Sequence, residues 1–181
     1  MDLLHLIKER RSIRRFKPDP VPQESLDAIL EAVRWTPSWT NSQCWEVILV
    51  KDASVKRQLE TLLFKPNRAS KGVLEAPVTL ALCGKLASSG YYKGEIITRW
   101  GDWILFDCGL ATQSLCLMSH SLGLGTVIIG AFEHRSVEKL LGVPEGYSIV
   151  CLIPLGYPAV TPSPPQRKQI KEFTHVGTFS K

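Results

Sequence analysis

A chain of 181 residues, 44% apolar and 22% charged, can bury one sizeable core and lacks the polar, highly charged bias of a disordered segment. Its net charge of +5 is modest, with one dense basic cluster at residues 8–17 and weaker ones at 65–71 and 167–171. That distribution suits a small anionic ligand and argues against a nucleic-acid groove, which needs a longer basic stripe with exposed aromatics between the charges.

No apolar run approaches the roughly eighteen residues of a membrane-spanning helix, and Met1-Asp2 opens no signal peptide, so a cytoplasmic protein is expected. The five cysteines (Cys44, Cys83, Cys108, Cys116, Cys151) form no C-x-x-C pair, and the four histidines lack ligand spacing. They are expected to be reduced core thiols and scattered imidazoles, with no metal site.

In chain order, Asp2 caps a short helix through Leu3, Leu4 and Ile7. This helix is expected to run into Arg10-Arg11-Ser12-Ile13-Arg14-Arg15-Phe16 and stop before Lys17-Pro18, placing Arg10 and Arg14 one turn apart. Two readings are open at this point. The stretch is either a solvated basic helix end or a phosphate grip made of guanidinium groups and a hydroxyl. Pro22 opens a second helix on Leu26, Ile29, Leu30 and Val33, which ends near Trp35 before Pro37. The polar turn 37–43 leads into a strand at 45–50. Ser54 is expected to cap a helix to about Leu63, and 78–83 is a second, buried strand.

Residues 84–101, rich in Gly, Ser, Tyr and Lys, are expected to form a surface excursion. Tyr91, Tyr92 and Lys93 there belong either to a substrate lid or to an ordinary solvent-facing loop. A long helix follows from Asp102 to Leu122, closed by Gly123 at C′. It is apolar nearly all round, and burial by a second subunit is expected. A short strand at 127–129 precedes a helix capped by Ser136, then a strand from Tyr147 to Leu155. The proline-rich tail after 157 is expected to be an extended arm that wraps a surface through Ile170, Phe173, Val176 and Phe179. The order of elements implies an α+β domain spanning 1–181, with the arm at about 157–181.

Four blocks in this order resemble the FMN-dependent nitroreductase family. They are Arg10 to Phe16; Pro37-Ser38-Trp39-Thr40-Asn41-Ser42-Gln43-Cys44-Trp45; Gly123-Leu124-Gly125 with Ile128-Ile129-Gly130-Ala131-Phe132; and Leu155-Gly156-Tyr157-Pro158 before Arg167-Lys168. The resemblance covers nearly the whole chain. It implies a mixed, mostly antiparallel central sheet flanked by helices, in an arm-exchanged homodimer with two FMN sites at the interface.

Arg10, Arg11, Ser12 and Arg14 would then hold the FMN phosphate and ribityl chain, joined by Arg167 from the tail with Lys168 beside it. Pro37, Ser38, Trp39 and Asn41 would reach the flavin from the other protomer. Ile129 and Gly130 would line the ring by backbone contact near N5. NAD(P)H would be the donor and a nitroaromatic, quinone or flavin the acceptor, in a ping-pong cycle. No side chain is expected to be catalytic, because the flavin carries the chemistry.

Three departures from the family pattern stand out. Cys44 replaces a proline. The family's Asn and Lys near the second strand could be any of Asn67, Arg68 and Lys71. The excursion at 84–101 is short where larger relatives carry a helical cover, which implies an open pocket. Other reductive chemistry on the same fold (enoate or aldehyde reduction, dehalogenation, flavin destruction) remains an alternative, as does a non-catalytic phosphate-ligand or nucleic-acid-binding protein.

Overall fold

A computed structural model describes residues 2–179, so the end of the expected arm lies outside the described residues. Its centre is a four-stranded sheet in the order β1-β2-β6-β5, every neighbouring pair antiparallel. The strands are β1 (Trp45–Val50), β2 (Val78–Lys85), β5 (Gly125–Thr126) and β6 (Tyr147–Gly156), while β3 (Tyr91–Tyr92) and β4 (Glu95–Ile96) pair as a separate hairpin. Helices α1 (Leu3–Glu9), α2 (Gln23–Arg34), α3 (Ala53–Thr61), α4 (Ser70–Glu75), α5 (Ile104–Ser121) and α6 (His134–Leu141) complete the fold.

Both faces of β2 and β6 are covered, which is why these strands read as continuous apolar runs. Leu80, Leu82, Ile153 and Leu155 face α2 and α5. Ala81, Cys83, Ile149 and Leu152 face the residues of α3, α4 and α6. The register slips once: Leu82 pairs with Cys151 but Cys83 with Ile149, so Val150 is the extra residue of a bulge.

Several elements differ from the sequence-based expectation. The N-terminal helix stops at Glu9, and residues 10–16 are extended rather than helical. Tertiary hydrogen bonds hold them so: Ile13 N–H donates to Thr126 at 2.8 Å, Lys17 N–H to Tyr157 at 2.9 Å, and Ala159 N–H returns to Arg15 at 3.0 Å. This segment therefore extends the sheet beyond β5, with Ser12 bridged in parallel to Thr126.

The strand expected at 127–129 ends at Thr126 and resumes only as a bridge between Ile129 and Leu152. The register places Val127 opposite Pro154, which has no N–H to donate, and the ladder opens there. Asp52, not Ser54, caps α3, its carboxylate accepting from Ser54 N–H at 2.8 Å and Val55 N–H at 3.0 Å. Ser136 lies within α6, which starts at His134.

Helix α5 has the expected extent within two residues, with Gly123 at positive φ just beyond its cap. One side of it (Ile104, Cys108, Ala111, Leu115) is core, while Leu105 and Phe106 are 68% and 55% exposed. Helix α1 buries no residue, and the tail from Ala159 to Phe179 is exposed throughout.

Candidate functional site

In the extended segment, side chains alternate with a period of two. Ile13 points into the core at 3% exposure, so Ser12 and Arg14 lie on the opposite, outward side. The segment seats closely: a Cβ on Gly125 would stand 2.4 Å from Ile13 Cγ1, and one on Gly72 would stand 3.0 Å from the Arg14 carbonyl. Glycine in β5 and in α4 thus permits the arginine stretch to lie between them.

Arg10, Arg11, Ser12, Arg14 and Arg167 line one cavity of about 230 Å³, closed by Pro162, Ser163 and Pro165 of the tail. Lys168 lies in the adjoining groove between α1 and the tail, with Arg10, Arg11 and Arg167. Among the described residues no carboxylate pairs with any of these four guanidinium groups, whereas the neighbouring Arg15 is paired with Glu75 at 2.8 Å. Arg11 is partly committed, since its Nη1 donates to the carbonyls of Lys8 and, at 2.8 Å, Arg10. Arg14 Nη1 reaches the Ser12 carbonyl at 3.2 Å. A cluster of planar, five-donor cations with a hydroxyl, and with no ion-pair partner among the described residues, could hold a multivalent oxyanion.

The turn at Trp39–Asn41 is a second cluster. Thr40, Asn41 and Gln43 all have positive φ (43°, 58° and 46°), a strained run for residues with side chains. Ser38 Oγ accepts from Gln43 N–H at 2.9 Å and closes the turn. Pro37 and Asn41 line a shallow pocket with Trp35, and its lining shares no residue with the arginine cavity. Within one chain the two clusters are therefore separate.

Ile129 and Gly130 form the third. The Ile129 side chain is buried, and its N–H and C=O are both bonded to Leu152 at 2.9 Å, leaving Gly130 to present any backbone donor of the pair. His134, which the sequence reading passed over, holds this point: Nε2 is 3.3 Å from the Gly130 carbonyl, Nδ1 is 3.1 Å from that of Ile149, and the ring stacks on Phe132.

Asn67 Oδ1 accepts from Ala69 N–H at 2.9 Å, which makes it a local cap. Neither it nor Arg68 nor Lys71 lines the arginine cavity. Cys44 is buried, its thiol 3.8 Å from an Asp107 oxygen. A hydrogen bond from Cys108 holds the Cys44 thiol below its ordinary pKa, while the same bond together with burial pushes Cys108 up. Asp107, near the start of α5, links its own helix to residues 39–44 and to Ser89. Its signal in the sequence, an acid in the first turn of a nearly all-apolar helix, is readable but not specific.

The excursion is less loose than expected, because Ser89 is fully buried and Gly90 is buried beside it. Among the described residues no helix is long and apolar enough to cross a membrane, and no group of three or more His, Cys, Asp or Glu could hold a metal ion.

The profile of the nitroreductase family matches residues 7–157. A Methanothermobacter thermautotrophicus protein, provisionally named NADH dehydrogenase/NAD(P)H nitroreductase, is 36% identical over 90% of this chain and 80% of its own length. The FMN reductase [NAD(P)H] of Bacillus subtilis is 30% identical over 98% of this chain and 74% of its own. Among solved structures, oxidised iodotyrosine deiodinase bound to FMN and 3-iodo-L-tyrosine superposes with a TM-score of 0.81 at 25% identity, covering 98% of this chain and all of that one.

Proposed function

The chain belongs to the nitroreductase family, and from that membership we propose an FMN-dependent oxidoreductase that takes electrons from NAD(P)H and passes them to a nitroaromatic, quinone or flavin acceptor. The observation that carries the reading is the cavity lined by Arg10, Arg11, Ser12, Arg14 and Arg167, four guanidinium groups with no carboxylate partner among the described residues. A phosphate dianion fits that donor set in charge and in hydrogen-bonding geometry. When bound, FMN supplies a two-electron carrier whose N5 accepts hydride from one substrate and gives it to the next.

The residues do the rest. Arg10, Arg14 and Arg167 anchor the phosphate, Ser12 donates or accepts at the ribityl end, and Arg11 adds charge while capping α1. Gly130 offers backbone contact at the ring edge, just past the bridge between Ile129 and Leu152. Pro37, Ser38, Trp39 and Asn41 of the partner subunit complete the site in an arm-exchanged homodimer. Two separate half-sites in each chain support that arrangement, as do the exposed Leu105 and Phe106 on α5 and the uncovered α1 and arm. We place the protein in the cytoplasm as one domain.

The test is the absorbance and mass of the chromophore that copurifies, followed by NAD(P)H oxidation against a panel of nitroaromatic, quinone, flavin and halophenol acceptors. Yellow protein with FMN and turnover is expected. Protein that is colourless and stays so after FMN is added would overturn the reading.

A further inference from the structure

Asp107 is 2% exposed, and none of the ion pairs among the described residues includes it. One oxygen, Oδ2, gathers donors from two segments remote from its own helix. Trp39 N–H reaches it at 3.1 Å and the Ser89 hydroxyl at 2.6 Å, while the Cys44 thiol at 3.8 Å and the Ser42 hydroxyl at 3.5 Å add weaker contacts. Several donors, and a place in the first turn of an 18-residue helix, make a buried carboxylate without a cation tolerable.

The joint is reinforced on both sides. Trp39 Nε1 donates to the Tyr91 carbonyl at 3.1 Å, and Trp103 N–H donates to the Ser89 carbonyl at 3.0 Å. The Trp39 and Trp103 rings lie 6.2 Å apart, and a Cβ on Gly90 would stand 2.8 Å from the Gly101 carbonyl. Beyond this root the excursion turns outward, with Tyr92, Ile96, Ile97 and Trp100 all more than half exposed. The hairpin thus has a fixed base on the Trp39 turn and an apolar, aromatic outer part.

We propose that Asp107 is a positioning residue that locks the β3–β4 hairpin to the Trp39–Asn41 turn, so that one buried carboxylate aligns the cover over an aromatic acceptor with the turn that faces the flavin. This rests on the proposed reading of residues 37–41 as flavin-facing. Ser89 is the hairpin's own end of the lock and can be cut without disturbing the turn.

The experiment uses the FMN-loaded full chain and measures the two half-reactions separately. Flavin content and reduction by NAD(P)H in the unaltered protein come first, and failure there counts against the oxidoreductase reading, not against the lock. Ser89→Ala is then expected to raise the acceptor KM about fivefold, the effect of one lost hydrogen bond, with flavin content and the rate of reduction by NAD(P)H within about twofold of the parent. Asp107→Ala is expected to raise the acceptor KM further and to shift the visible flavin spectrum, because Trp39 loses its acceptor as well. Asp107→Asn, which keeps an acceptor oxygen, is expected to restore most of both. An unchanged acceptor KM in Ser89→Ala overturns the proposal. So does an Asp107→Asn protein as impaired as Asp107→Ala at equal thermal stability.

Discussion

At the scale of single residues, Arg10, Arg11, Arg14 and Arg167 line one cavity with Ser12, and no carboxylate among the described residues pairs with any of the four. The sequence leaves Arg10, Arg11, Ser12 and Arg14 open between a solvated basic end and a phosphate grip, and the cavity they line with Arg167 supports the second as the proposed reading. Their helical spacing was misread, because the hydrogen bonds that straighten residues 12–17 come from Thr126 and Tyr157, more than a hundred positions away. Propensity is a local quantity and tertiary pairing overrides it. Arg10→Ala or Arg14→Ala is predicted to weaken FMN retention by about 1.5–3 kcal/mol, the range for a charged hydrogen bond, with the native size unchanged in stocks well above the subunit dissociation constant. Flavin content after gel filtration measures this, and unchanged content in both variants would move the anchor elsewhere.

The neighbouring Arg15 plays a different part, with Glu75 accepting from its Nε and from Phe16 N–H at 3.1 Å. Hydrogen bonding by Arg15 holds the Glu75 carboxyl below its ordinary value of 4.5. Because the folded pKa is the lower one, its stabilisation is full above 4.5 and is lost as pH falls through the folded value. Glu75→Gln is predicted to cost about 1 kcal/mol at neutral pH, a figure discounted for the half-exposed arginine. The gap between parent and variant in chemical denaturation should narrow as pH falls below 4.5 and close once Glu75 is protonated in the folded protein, and a gap that does not narrow with acid refutes the assignment.

At the scale of elements, periodicity located α2, α5, β1, β2 and β6 well, since each has a strong apolar pattern of its own. The break at Val127 was invisible for a physical reason. It depends on which residue faces Pro154, and register cannot be known before the sheet is built. Gly125 shows the same limit, because its place in the Gly123-Leu124-Gly125 block says nothing of Ile13, for which it is the clearance. Gly125→Ala is predicted to push the 10–16 segment off β5, costing roughly 1–3 kcal/mol as overpacking does and releasing flavin. Hydrogen exchange should show faster exchange at Ile13 N–H with β2 and β6 still protected. Full protection at Ile13 would show that the backbone absorbs the methyl group.

At the scale of the whole molecule, one chain leaves much apolar surface uncovered. Leu3, Leu4 and Ile7 on α1, Leu105 and Phe106 on α5, and Phe173 and Val176 on the arm are all exposed by 45% or more. Such area is what an obligate interface buries. The pattern of α5 suggested this from sequence, but the partner surface could not be read, because nothing in the chain says which copy an exposed stripe will meet. If the protein is the proposed homodimer, ending the chain at Pro158 is predicted to yield a species of about half the native mass that retains little flavin, since both Arg167 and the arm are removed. Sedimentation velocity with absorbance detection reads mass and colour together. A truncated protein that stays dimeric would confine the interface to the helices.

The separation of the arginine cavity from the Trp39 turn has a thermodynamic corollary. If a flavin needs one half-site from each of two chains, cofactor and assembly are linked functions, and each must strengthen the other by the same factor. Retention of flavin then depends on protein concentration. A stock diluted toward the dissociation constant of its subunits should bleach by mass action, and free FMN should restore both colour and size. The colour of the solution becomes a gauge of subunit association.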